Sequence, residues 1–166
     1  MDEEWVLEVD QHNQPLGRVS RREMRTRNLF HRAVYVFVFN AKGQLYVQHR
    51  TPTKDLYPGY LDLAAGGVVG VGESYDEAAQ RELQEELGIR GVELSSRFNF
   101  FFQDDANRVW GRVYRCIWEG ELVLQPEEVV DVELMEVEAI LTTSDHGLYT
   151  PDSLVALKRM LHTAPH

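Results

Sequence analysis

Glu82, Glu85 and Glu86 stand at positions i, i+3 and i+4, a spacing that gathers three carboxylates on one face of a helix within a single turn. Like charges this close repel, and near a helix C-terminus the macrodipole adds to the penalty. The cost is on the order of a few tenths of a kcal/mol per pair on an exposed helix, unless a cation sits between them. Hard oxygen donors in this number suit Mg²⁺ or Mn²⁺ better than zinc. A plainer alternative is an acidic helix face on which Arg81 pairs with Glu77 or Glu85 at i±4. The segment just upstream argues against it. Glycines at 66, 67, 70 and 72 give backbone that can take positive φ and approach a ligand closely.

Positioning these groups requires a helix of defined ends. Ser74 followed by Glu77 is a capping box, which satisfies orphan N–H groups and predicts a helix start near residue 75. Gly88 is placed to close it as a left-handed cap, giving a helix over 75–87 of about three and a half turns. Ala79, Leu83 and Leu87 recur every four residues and form its buried stripe. Residues 33–40 (AVYVFVFN) read as a strand buried on both faces, and Ala41-Lys42-Gly43 turns it toward a partner at 45–48. Further strands are expected at 4–9, 61–65, 92–102, 109–118 and 129–135. A second helix is expected over 151–162, with Thr150 as N-cap, Pro151 at its first position and Leu154, Leu157 and Leu161 at helical spacing. The stretch carrying Arg18, Arg21, Arg22, Arg25 and Arg27 suggests a short helix that either meets a substrate phosphate or is a solvated face. This pattern predicts an α/β chain, a mixed β-sheet sandwiched between helices in one domain over 1–166.

The composition sets the partners. A chain of 166 residues with 43% hydrophobic residues can bury a substantial core. The formal net charge of −10 argues against a nucleic-acid polymer as partner, and an acidic protein handling a phosphorylated molecule needs a mediating cation. No run approaches the roughly 18 apolar residues of a membrane span, and Met1-Asp2-Glu3-Glu4 lacks the basic start of a signal peptide, so a cytoplasmic location is expected. The lone Cys116 sits in an alternating run and is expected to be a buried strand residue rather than a reactive thiol. Nothing here specifies an oligomeric state.

Residues 66–89 resemble the Nudix box, G-x5-E-x7-R-E-U-x-E-E-x-G-U with U apolar. Gly67, Glu73, Arg81, Glu82, Leu83, Glu85, Glu86, Gly88 and Ile89 fill every fixed position. The resemblance implies the Nudix fold with its loop–helix–loop, and hydrolysis of a diphosphate bond in a nucleoside diphosphate linked to another moiety or in a similar small phosphorylated metabolite. It implies Mg²⁺, with Mn²⁺ as substitute, held by Glu82, Glu85 and Glu86 and by the Gly66 carbonyl. Arg81 would orient the glutamates and Glu73 would buttress the loop. The cation would neutralise phosphate charge and acidify a bound water. A glutamate would take that water's proton, either one in the box or a later carboxylate, for which Glu127, Glu128 and Asp131 are candidates.

Outside the box, His31-Arg32-Ala33, the 39–45 turn, Lys54 and Tyr57-Pro58-Gly59 resemble isopentenyl-diphosphate isomerases. Such an isomerase needs a cysteine and a histidine-rich metal site, yet Gly66-Gly67-Val68 stands where the family has Cys-Gly-His, and only His31 matches a metal histidine. A catalytically silent sensor would be expected to lose box carboxylates, and none is lost here. Arg50 and Lys54 are placed either to meet a phosphate or to be solvated. Phe98, Phe100, Phe101, Phe102 and Trp110 offer aromatic surface for a base, though alternation assigns most of them to the core.

Overall fold

The β-branched and aromatic run after Phe30 forms the central strand of a computed structural model in which residues 4–162 are described. This strand, β3 (Phe30–Phe39), follows a hairpin of β1 (Trp5–Val9) and β2 (Pro15–Ser20) and a short helix α1 (Arg21–Thr26). It pairs in parallel with β8 (Arg108–Ile117) over its whole length and antiparallel with β6 (Ala65–Val68). Strand β7 (Ser95–Gln103) extends the sheet beyond β8. Strand β4 (Leu45–Arg50) touches β3 at the turn and then pairs with β5 (Leu61–Asp62) and β9 (Val129–Met135). The helices are α2 (Tyr75–Leu87), α3 (Val137–Thr142) and α4 (Pro151–His162). The expected mixed sheet with helices on both faces is what forms.

Because successive strand residues point to opposite faces, β3 serves two cores. Ala33, Tyr35, Phe37 and Phe39 pack with Ile140 of α3 and with Ala156, Leu157 and Met160 of α4. Val34, Val36 and Val38 pack with Ala78, Ala79, Leu83 and Leu87 of α2. Cys116 is buried on the α2 side, as expected of a strand residue.

Several expectations need correction. The 61–65 strand is two pieces, β5 and β6, with the second running on to Val68 so that the glycines at 66 and 67 are strand rather than loop. The 92–102 strand begins only at Ser95. The basic stretch is divided between β2, which holds Arg18, and α1, whose N-cap Ser20 accepts from Glu23 N at 3.1 Å. Helix α3 carries no side-chain cap bond and gave no capping signal in advance. Among the described residues no helix is long and apolar enough to cross a membrane.

Candidate active site

Helix α2 forms as its end signals dictate. Ser74 Oγ accepts from Glu77 N at 3.1 Å, Glu77 Oε1 accepts from Ser74 N at 2.9 Å, and Gly88 closes the helix at φ 70°. Buried Leu83 and Leu87 anchor its inner face, which fixes Arg81, Glu82, Glu85 and Glu86 along the side facing β6.

The two glycines of β6 are there for closeness and not for positive φ; of the four upstream glycines only Gly72 has a positive value, 77°. A Cβ at Gly66 would lie 1.8 Å from the Val34 carbonyl oxygen of the neighbouring strand. One at Gly67 would lie 2.6 Å from Glu82 Oε1 and 2.8 Å from Oε2. The Glu82 carboxylate therefore rests directly against bare backbone.

Arg81 organises the cluster. Its Nε donates to Glu73 Oε2 at 2.7 Å and its Nη2 to Glu73 Oε1 at 3.0 Å, a bidentate pair. Nη1 donates to Glu82 Oε1 at 2.7 Å and to Glu85 Oε2 at 3.2 Å, and Nη2 also reaches the Val68 carbonyl at 3.1 Å. Glu73 Oε1 further accepts from Gly70 N at 2.9 Å, which ties the loop to the helix. The Arg81 guanidinium beside Glu73 holds that carboxyl below its usual range, and the guanidinium's own proton affinity is raised in return.

Glu86 is 4% exposed. Its Oε1 accepts from Gly66 N at 3.1 Å, and with the Gln48 amide turned to donate, from Gln48 Nε2 at 3.2 Å. Burial, and then the neighbouring Glu82, push its proton affinity well up; burial also raises Glu82, with Arg81 opposing. Among the described residues no three carboxylate, histidine or cysteine side chains already meet at one point. Glu82 and Glu85 lean on Arg81, while Glu86 lies behind them against Gly66.

Glu82 and Glu85 open onto a cleft of about 390 Å³, which Gly66, Gly67, Arg81, Lys54, Glu127 and Glu128 also line. Of the late carboxylates, Glu127 and Glu128 thus reach the cleft, the latter paired with Lys54. Asp131 is turned away toward His49, at 3.8 Å. Among the described residues lining the cleft none is aromatic. Phe100 is core, Phe98 and Phe102 pack against the same cluster, and Phe101 stacks on Phe30 and meets Trp110 at a tilt.

The family model described as the NUDIX domain matches residues 29–153, three quarters of the chain. The chain belongs to the Nudix hydrolase family. An uncharacterized Nudix hydrolase of Yersinia pestis is 46% identical over 158 residues, covering 95% of this chain and 86% of the relative. One of Pseudomonas aeruginosa is 43% identical over 160 residues, covering 96% and 95%. Among solved structures, a Deinococcus radiodurans protein superposes with a TM-score of 0.82 at 27% identity, covering 95% of this chain and 99% of that one.

Set within a Nudix hydrolase, the donor set fits a hard divalent cation. Glu82, facing the cleft, raises the proton affinity of the buried Glu86 behind it and is itself raised by burial and by Glu85, which adds a third oxygen donor from the same turn. The groups an isomerase would need are differently disposed. Cys116 lies in the α2 core, where burial pushes its thiol up to about 11. His31 is buried, its Nδ1 3.0 Å from the Leu29 carbonyl, and burial followed by the nearby Arg25 lowers its pKa to about 3.

Two features escaped the sequence reading. Arg50 is neither solvated nor free for phosphate: Nε and Nη2 donate to the Leu56 carbonyl at 3.1 and 2.7 Å, and Nη1 to Asp62 at 2.9 Å. Tyr35 and Asp152, far apart in the chain, meet at 2.7 Å behind the cleft. No local pattern announces either contact.

Proposed function

We propose that this Nudix hydrolase cleaves a phosphoanhydride bond in a nucleoside diphosphate linked to another moiety, or in a similar phosphorylated metabolite, with Mg²⁺ or Mn²⁺. The observation that carries the reading is the stacked carboxylate set, with Glu82 pressed against Gly67 and Glu86 buried behind it. Glu82, Glu85 and Glu86, with the Gly66 carbonyl, would hold the cation. A divalent cation there supplies charge neutralisation for the diphosphate and makes a bound water more acidic.

The chain's own residues set the geometry. Glu73 fixes Arg81 through the bidentate pair, and Arg81 in turn holds Glu82 and Glu85 in place. Glu127 or Glu128 accepts the proton from the attacking water, since both line the cleft. Lys54, beside Glu128, meets phosphate charge at the cleft rim. The same reading places the enzyme in the cytoplasm, acting on a small molecule and not on a nucleic-acid polymer.

The test is metal-dependent phosphate release from nucleoside di- and triphosphates, nucleotide sugars, dinucleotides and isopentenyl diphosphate, with wild type and Glu86→Gln side by side. Release that the substitution abolishes is the expected result. Conversion of isopentenyl diphosphate to its isomer, or binding of a metabolite without turnover, would replace this reading with an isomerase or a sensor.

A further inference from the structure

A second cavity lies inward of the carboxylate cleft and shares Arg21, Lys54, Gly66 and Gly67 with it. Much of the charge in its wall is already matched. Arg50 spends its donors on Leu56 and Asp62, and Arg21 donates to Asp55 at 3.1 Å. Asp152 accepts from Tyr35 at 2.7 Å and from Asn107 Nδ2 at 3.4 Å.

Two groups are left over. Arg25 Nε and Nη1 are buried and make no hydrogen bond, although the side chain is only 14% exposed. The nearest carboxylate oxygen, on Asp55, stands 3.6 Å from Nε and is shared with Arg21. Asn107, 1% exposed, has no partner for Oδ1. His31 in the same wall is buried, with its Nδ1 3.0 Å from the Leu29 carbonyl. Arg25, whose one counter-charge is the 3.6 Å ion pair it shares with Arg21 and whose donors make no hydrogen bond, and Asn107, with an unmatched acceptor, line the same cavity and together call for a ligand that is anionic and also carries a donor.

We propose that this inner slot receives one terminal phosphate of the substrate, with Arg25 as the specificity-determining donor and Asn107 accepting from a protonated phosphoryl oxygen. A terminal phosphate, whose second ionisation falls near pH ~6, offers acceptor oxygens and, when singly protonated, one O–H. The slot holds about 60 Å³. That is room for about four to six waters or one phosphate, and too little for a nucleobase. The phosphate end therefore points inward and the rest of the molecule outward through the cleft. This deepens the diphosphate-hydrolase reading and rests on it. The preferred substrates end in a free phosphate, as nucleoside di- and triphosphates do, and diphosphates capped at both ends, such as nucleotide sugars and dinucleotides, are disfavoured.

Orthophosphate binding to the full chain, measured by calorimetry in EDTA, tests the slot without turnover. Wild type and Arg27→Gln, an exposed arginine just past the end of the same helix, should bind one phosphate saturably. Arg25→Met should bind at least about tenfold more weakly, the loss of one charge-assisted hydrogen bond, with Arg25→Lys intermediate. The ratio of kcat/KM for a nucleoside diphosphate over a nucleotide sugar should fall in both Arg25 variants. No saturable binding to wild type, or equal affinity in wild type and Arg25→Met, overturns the proposal and leaves a water-filled slot. If Arg25→Met does not fold, an unchanged affinity and an unchanged ratio in Arg25→Lys overturn it. The two readings fail separately. Hydrolysis without phosphate binding removes the slot alone, and phosphate binding with no hydrolysis of any diphosphate removes the enzyme reading alone.

Discussion

Replacing Gly67 by alanine should separate activity from folding. The new Cβ would stand 2.6 Å from Glu82 Oε1 and 2.8 Å from Oε2, where ordinary contact begins at 3.4 Å. The carboxylate must retreat by roughly 0.8 Å, and a misplacement of about 1 Å costs on the order of a hundredfold in rate. Arg81, which grips Glu82 Oε1 at 2.7 Å, opposes a larger escape. Stability should change by less than about 1.5 kcal/mol, since only a side-chain end has to move. Gly66→Ala is the contrast. Its Cβ would fall 1.8 Å from the Val34 carbonyl oxygen, a backbone atom in the central strand, so β6 must part from β3 and the protein should lose about 3 kcal/mol or more. Turnover at saturating metal, paired with thermal melting, reads both. A Gly67→Ala protein with full turnover would refute the assignment of Glu82 to the working site, and a normally stable Gly66→Ala protein would refute the packing.

Other expectations follow from the same geometry. Arg81→Lys cannot keep the bidentate hold on Glu73 together with Glu82, so melting should show a loss of about 2–3 kcal/mol, typical of charge-assisted bonds; an unchanged midpoint would contradict the hub role. Glu82→Gln keeps the shape but removes one charge, and turnover should drop at least about a hundredfold. Mg²⁺ or Mn²⁺ at about 100 times its dissociation constant should stabilise wild type by about 2.7 kcal/mol, and Glu82→Gln by less, in thermal scans. His31 titrates near 3 when folded against 6.5 ordinarily, so it contributes stability above about pH 6.5 that is lost as pH falls toward 3. At pH 5 this loss is about 2 kcal/mol, and the stability of His31→Gln should fall less steeply below pH 6.5 than that of wild type.

What the sequence made legible was local. The α2 bounds follow from Ser74, Glu77 and Gly88, because capping groups bond within a few residues of themselves. Pro151 likewise marks the start of α4. The two-sided burial of β3 was readable from its unbroken apolar run. What stayed hidden depends on partners far along the chain. Gly66 and Gly67 looked like loop glycines, and only the approach of Val34 and Glu82 shows that they are small because there is no room. Arg25 was one of five arginines in a row of basic residues, and nothing near it says that it alone is buried with donors to spare. The inner slot exists because β3, the 107 turn and the start of α4 meet.

The alternation of β3 has a bearing on which changes this chain can absorb. Inserting or deleting one residue between Ala33 and Phe39 would exchange the rows facing α4 and α2, sending Phe37 toward the small alanines of α2 and valines toward α4. The same slip would carry the Tyr35 hydroxyl away from Asp152 and the Val34 carbonyl away from Gly66. A change of length here therefore disturbs both cores at once, whereas one in the 51–60 segment, at the mouth of the cleft, alters what can enter and disturbs local contacts such as that of the Leu56 carbonyl with Arg50.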